Sequence, residues 1–432
     1  MQNKDQARLE KNARIAASRA ATALRRKNMV CRTYTLKIVK NKISRKSRES
    51  LRMAFLEAKW LRNAALASDW RTYDYKPNEV SVKTPAGYEV RQIKNLGSQL
   101  KQSVLQQIAT DISNLAKAKK KGMKVGALKF TKKVSSINLK QFGTTYRFRG
   151  NRIKVQGIHG WLRVRGVEQL ADKEIANAKL LSKPNGYYLA VTTYENKTIE
   201  RKSYKTESIG IDFGVKTGMT LSDGREFNIF VQETERLKRL QRKLSRQQKG
   251  SKNRMKTIAA IQREYQKMTN MKNELANQFV AMVTGEAETV YFQDDNFNSW
   301  KGKNSPARGG RRIQHGVLGR VKSKLSAHPR AVKVDRYVAT TATCPCCGTK
   351  THHGLGEEWF VCAECFYKAP RDVHAANNMI LFGRNTPTER GEAPVEQVSS
   401  AQSPDSASHF AAKQETAWLN QCPEAALALA MP

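Results

Sequence analysis

Two cysteine pairs place the tightest constraint on what this chain can fold into. Cys344 and Cys347, then Cys362 and Cys365, form a C-x2-C, a fourteen-residue gap and a second C-x2-C. Two such knuckles bring four thiolates tetrahedrally onto one zinc ion, and Gly348 permits the tight turn that follows the first pair. Four protein ligands leave no open position for a substrate, so the zinc is read as structural. Cys346 lies inside the first pair without knuckle spacing, and His352 and His353 in the gap read as exposed loop residues, second in line as ligands. Five of the seven cysteines crowd into this window while Cys31 and Cys422 stand apart. That usage belongs to a reducing compartment, not to a disulfide framework.

At 432 residues the chain has length enough for two or three cores and needs no staples. Its formal net charge is +41, with 78 Lys and Arg against 37 Asp and Glu. Such a surplus attracts polyanions, which makes nucleic acid the expected partner. No apolar run approaches the roughly 20 residues of a spanning helix, so no membrane role is expected.

Residues 1–30 read as a basic helical arm that orders on a polyanion. Thr33 to Val39 alternates as a strand, and Ser44 or Ser47 starts a helix with Met53, Leu56, Trp60 and Ala64 on one stripe. A second helix begins at Ser98, carries Leu100, Val104, Ile108, Ile112 and Leu115 on one face, and ends in the lysines of 117–121. The period then changes from helical to two. Arg147 and Arg149, Lys154, and Arg163 and Arg165 alternate with Tyr146, Phe148, Ile153, Val155, Leu162 and Val164. Each strand therefore buries one face and offers cations on the other, which suits backbone contacts that position without specifying a base. Tyr187 to Tyr194 adds a strand, and later a long helical stretch from Glu233 to Val283, broken near Gly250, exposes Lys238, Arg239 and Arg242 between its leucines. Ile313 to Ser326 reads as one helix, and composition turns aperiodic from Asn385 on, the pattern of a disordered tail.

The acids stand at the ends of strand-like runs. Glu207 to Phe213 alternates into Asp212, and a meander around Ser222-Asp223-Gly224 follows it. Val290 to Phe297 ends in Asp294 and Asp295, and Asp372 opens a helix after the cysteines. Carboxylates gathered at strand ends suit Mg²⁺ and two-metal phosphodiester hydrolysis. Spacing alone leaves ordinary charge pairing as an equal reading.

In order, GIDFGVKTGMTLSDG, VYFQDDN, VKVDRYVATTATCPCCG, CAEC and RDVHAANNM resemble the split RuvC-like nuclease of TnpB proteins and compact type V CRISPR effectors. FLEAKWLRN in the N-terminal half, and PVE and KQE in the tail, are also similar to that family. The resemblance implies an α/β plus α+β chain, a split RNase H-like nuclease with an inserted zinc ribbon, preceded by a β-barrel and helical half that holds nucleic acid. Its implied boundaries are an arm at 1–30, a wedge-like barrel with a helical recognition insertion at 31–206, and a first nuclease segment with a basic helical insert at 207–342. The ribbon at 343–367, a second nuclease segment at 368–384 and the tail at 385–432 complete them. It further implies two catalytic Mg²⁺ ions, one structural Zn²⁺, a guide RNA, target double-stranded DNA, a prokaryotic cytosolic location and compatibility with a homodimer on one RNA.

By that resemblance Asp212 is the first catalytic acid and Asp372 the third. The family's usual middle Glu falls on Gln293 here. Side chains two apart on a strand share a face, so Asp295 is the expected middle acid and Asp294 the second choice. The leading function is RNA-guided DNA cleavage beside a short flanking motif. The absent Glu motivates an alternative, RNA-guided binding with little cleavage, and a strand-joining transposase would use the same acids.

Overall fold

The computed structural model describes residues 2–196, 203–301, 310–354 and 356–385, so the tail from 386 on, with its PVE and KQE fragments, lies outside the described residues. The chain divides into two compact units, Met1–Glu200 and Arg201–Pro432. Among the described residues no helix is long and apolar enough to cross a membrane.

The first unit contains helices α1 (Gln2–Lys27), α2 (Arg45–Ala67) and α3 (Ser98–Lys120). Its strands are β1 (Met29–Ile38), β2 (Glu79–Thr84), β3 (Gly87–Gln92), β4 (Ser136–Leu139), β5 (Tyr146–Arg149), β6 (Arg152–Val155), β7 (Leu162–Arg165), β8 (Glu174–Lys183) and β9 (Gly186–Asn196). Seven of these form one sheet in the order β4-β8-β9-β1-β7-β6-β5. The edge strands β4 and β5 are consecutive in sequence and share one core, so the sheet curls into a nearly closed barrel. Ile153, Val155, Leu162 and Val164 fill that core while Arg147, Arg149, Arg152 and Arg165 stay exposed. The alternation read from the sequence is therefore the barrel's inside and outside.

Ser44 caps α2 by accepting a hydrogen bond from the Ser47 amide, a contact worth about 1 kcal/mol. The stripe read from the sequence is corrected here. Of the expected residues Trp60 is buried, whereas Met53, Leu56 and Ala64 only flank the deepest face, which is Leu51, Ala54, Ala58, Leu61 and Ala65. Small residues mark the deepest line because the helix packs closely there.

The second unit holds β10 (Thr206–Phe213), β11 (Met219–Leu221), β12 (Glu226–Phe227), β13 (Ala287–Gln293), β14 (Ala331–Val334), β15 (Trp359–Val361) and β16 (Lys368–Pro370). Its helices are α4 (Glu235–Ser245), α5 (Lys252–Glu286), α6 (Gly310–His315), α7 (Leu318–Leu325) and α8 (Arg371–Arg384). Five strands form a mixed sheet, β12-β11-β10-β13-β14, with β10 at its centre, parallel to β13. The helix expected over 313–326 is broken into α6 and α7 at Gly316-Val317.

Strand alternation sorts the sheet into two faces. Ile209, Ile211 and Phe213 of β10 and Val290 and Phe292 of β13 pack with Ala276, Phe279 and Val283 of α5 and with Leu318 and Val321 of α7. Tyr291 and Val334 turn the other way, onto Met379 of α8. The result is a helix–sheet–helix sandwich in which Gly210, Asp212 and Gln293 belong to the α8 face. Gly210 is required there, because a Cβ at this position would overlap the Ala376 carbonyl oxygen. That close approach brings the first turn of α8 against the end of β10.

Candidate active site and metal centre

Asp212 is the penultimate residue of β10 and half-buried. Burial, then the charges of Asp372 and Asp295, push its carboxyl up to about 8, against a smaller opposing pull from Arg371 and the Phe213 amide. Three acids separated in sequence thus lie at one end of the parallel pair β10–β13, close enough for two of them to act on the third. The carboxyl ends of parallel strands are where open α/β sheets place their ligands.

Each acid is held differently. Asp372, in the first turn of α8, accepts a 2.9 Å hydrogen bond from the Thr217 hydroxyl. Thr217 was not singled out in the sequence; its signal is Gly214, where a Cβ would collide with the Thr217 hydroxyl. Asp295 lies two residues beyond the end of β13, and burial is the main cause that raises its carboxyl to about 6. Asp294 faces a different environment: Lys322 at 2.5 Å, Arg336 at 3.3 Å and Lys333 at 3.5 Å surround it. Its burial opposes ionisation, but the Lys322 hydrogen bond and the charges of Lys322 and Lys333 outweigh it and hold this carboxyl below the usual range. Lys322 also donates to the Asp295 carbonyl oxygen at 2.5 Å, so it fixes the turn that carries both acids. The adjacent aspartates therefore differ: Asp294 is ion-paired to three cations, while Asp295 is raised mainly by burial and its charge reaches Asp212.

Gln293 is 9% exposed and does not join the acids. Its amide nitrogen donates to the carbonyls of Asp335 at 3.1 Å and Val338 at 2.9 Å, tying the end of β13 to the segment after β14.

The four cysteines converge as their spacing requires. One ligand atom from each of Cys344, Cys347, Cys362 and Cys365 lies within 4.8 Å of the others. The closest sulfur pairs are Cys347–Cys362 at 3.4 Å and Cys344–Cys365 at 3.5 Å. Zinc–sulfur bonds of about 2.3 Å in a tetrahedron separate sulfurs by about 3.8 Å. The donor set and its spacing fit a structural zinc ion. Cys346 and both histidines of the gap lie outside this group. His353 is not the exposed loop residue expected: its ring packs edge-on to Phe360 and its Nδ1 meets Glu357 at 2.7 Å. Among the described residues this sulfur cluster is the group of three or more donors within reach of a single ion. The three carboxylates are spread more widely.

The cations read from the sequence as nucleic-acid contacts are mostly exposed. Arg149, Arg165, Lys238, Arg239 and Arg242 face solvent. Arg147 lies over the Trp161 ring, Lys238 pairs with Glu235 at 2.7 Å, and half-buried Lys154 donates to the Ile158 carbonyl.

With this geometry in hand, two family profiles fall on the chain in sequence order. Residues 191–294 match OrfB_IS605, described as a probable transposase, and residues 320–379 match the Cas12f1-like TNB domain. The first segment carries Asp212 and the second all four cysteines and Asp372. These two segments of the chain are similar to the OrfB and Cas12f1-like families. A relative in Escherichia coli (strain K12), InsQ, described as an inferred RNA-guided DNA endonuclease, is 26% identical over 52% of this chain and 60% of its own. A Streptomyces pristinaespiralis relative of the same description is 27% identical over 43% of this chain and 48% of its own. The chain thus spans about half the length of these relatives. Among solved structures, a Cas12f1–sgRNA–target DNA complex aligns with 82% of this chain and 99% of its own, at 12% identity and a TM-score of 0.37. CasPhi-2 (Cas12j) bound to crRNA aligns with 72% of it and 68% of its own chain, at 12% identity and a TM-score of 0.32.

Proposed function

We propose that this chain is an RNA-guided DNA endonuclease with a split RuvC-like, RNase H-like second unit. Asp212, Asp295 and Asp372 would hold two Mg²⁺ ions, and the cysteines one Zn²⁺. The observation that carries the reading is the placement of Asp212, Asp295 and Asp372 at the carboxyl end of the parallel pair β10–β13, with Asp372 held by the Thr217 hydroxyl. Burial and the neighbouring acids raise the Asp212 carboxyl, and a carboxyl so placed is stable as an anion only with a cation beside it. Asp212 feels the charges of both other acids, so the three carboxylates would together hold the ions. Bound magnesium would activate a water molecule and neutralise charge on the leaving oxygen.

The protein's own residues arrange this site. Thr217 orients Asp372, Lys322 holds the Asp295 turn, and Arg371 puts a positive charge beside Asp212. The cationic outer face of the barrel and the exposed face of α4 would follow the phosphates of guide RNA and target duplex. Guide pairing would supply sequence recognition, and the protein would read backbone shape and a flanking motif.

Gln293 motivates a second reading, RNA-guided binding with weak or no cleavage, because the strand position opposite Asp212 is engaged with backbone carbonyls. Incubating the ribonucleoprotein with matched duplex DNA and Mg²⁺ separates the two. Strand scission is expected; target binding without scission at any Mg²⁺ concentration leaves only the second reading.

A further inference from the structure

We propose that the four-cysteine ribbon positions Asp372, by holding the first turn of α8 through a ring stack of Phe360 on His374. This rests on the reading of Asp372 as a metal-binding acid. Helix α8 begins directly after β16, with Pro370 as its capping residue and no side-chain cap. Its first turn lacks the usual local restraint. The ribbon supplies the restraint instead. The Arg371 amide donates to the Glu358 carbonyl at 2.8 Å, and the Arg371 guanidinium donates to the Gly354 carbonyl at 2.7 Å. The His374 ring, fully buried, lies flat on Phe360 with centroids 3.8 Å apart and planes 11° apart. Phe360 in turn packs among Cys344, Cys362 and Cys365. One turn further, the Asn378 amide donates to the carbonyls of Thr340 at 2.7 Å and Thr343 at 2.8 Å, on the segment that enters Cys344.

Residues two apart on a helix point about 200° from one another. Asp372 reaches Thr217 and Asp212 on one side of the turn while His374 faces the ribbon on the other. A shift of the ribbon therefore rotates the acid. The ribbon's own sheet is two strands of three residues each, too small to persist without its zinc. Occupancy of the sulfur cluster would then be read out at a carboxylate that does not touch it. Cleavage is sensitive to displacements of this kind, roughly a hundredfold for 1 Å.

Hydrogen exchange on the full chain tests the coupling without any cleavage assay. Removing zinc with a chelator should speed exchange of amides 371–378 by roughly tenfold or more, with 379–384 changing less. Unchanged protection at 371–378 overturns the proposal. In the ribonucleoprotein, His374→Ala and Phe360→Leu should retain about one zinc per chain and wild-type target affinity, yet cleave roughly tenfold or more slowly. His374→Phe, which keeps a ring on Phe360, should restore the rate. Wild-type cleavage by His374→Ala overturns the proposal. Asp372→Ala run beside them separates the two ideas, since wild-type cleavage by that variant rejects the role of the acid itself while the exchange result still reports on the clamp.

Discussion

The sulfur cluster and the carboxylate cluster of the second unit are assembled by opposite means. The cysteines come from one short stretch of chain and meet within 4.8 Å. Sulfurs without an ion gain little from that meeting, so the proposed zinc ion would hold the ribbon together. The carboxylates come from β10, the turn after β13 and α8, and their meeting is unfavourable in itself. Here the fold supplies the force: aromatic packing of Phe213 against Phe292 and Phe297, and the close seating of α8 at Gly210, bring the acids together. Loss of zinc should therefore unmake the first cluster, whereas loss of divalent cations should leave the second folded with Asp212 protonated.

The largest expected effect breaks chemistry without breaking structure. Asp212→Ala should lower target cleavage at least about a thousandfold while leaving guide and target affinity near wild type. Cleavage at the wild-type rate would refute a metal role for this acid. On the sulfur side, Cys362→Ser should lower zinc content from about one per chain toward zero, measured by elemental analysis. A metal-free protein with full activity would reverse the comparison.

Next in size is the contrast between neighbours. Asp295→Ala should slow cleavage about a hundredfold, and Asp294→Ala by less than about tenfold. The second variant should instead lower the thermal midpoint, because Lys322, Lys333 and Arg336 lose their common partner. Equal rates in the two variants would discard the assignment of the middle acid.

The sequence exposed these regions unequally. Cysteine spacing is a local property of the chain, so the ribbon and its knuckle glycine could be read before any fold was known. The centre strand, the helical hairpin and the inside and outside of the barrel were legible too, because period-two and period-3.6 patterns record which side is buried. Lys322, Thr217 and the tether from Gln293 were not legible. Their partners lie 27, 155 and 42 or 45 residues away, and nothing in local pattern announces a contact at that range. The break at Gly316 and the deep line of α2 were missed for a related reason, since close packing favours small residues that a hydrophobic count passes over.

Without divalent cations the carboxylate cluster should also show a pH signature. The folded state holds the Asp212 proton up to about pH 8, whereas the ordinary aspartate value is 3.8. Between those values the folded form binds a proton that the unfolded form has released, so this group's contribution to stability falls as pH rises. Asp212→Asn should remove that slope and raise the thermal midpoint near pH 7.5 by a few degrees, on the order of 3 °C. Saturating Mg²⁺ should reverse the trend in the wild type, because binding requires the ionised carboxylates and releases their protons. A flat apo profile that Asp212→Asn leaves unchanged would show that the acids do not meet.

The smallest effect lies within the sulfur cluster, between its two knuckles. Gly348 follows the first pair at φ +76°, and Phe366 follows the second at φ +56°. Left-handed backbone is strain-free for glycine and costs a side-chain-bearing residue about 1 kcal/mol or more. Phe366 is 77% exposed, so little packing within the protein offsets that strain. Phe366→Gly should therefore stabilise the zinc-loaded chain by about 1 kcal/mol and slow zinc loss to a chelator, less the entropy of a freer unfolded chain. Gly348→Ala should do the opposite by a similar amount. If Phe366→Gly instead destabilises the ribbon, the exposed ring is held by a contact that repays its backbone strain, and the two knuckles are not equivalent halves of one metal site.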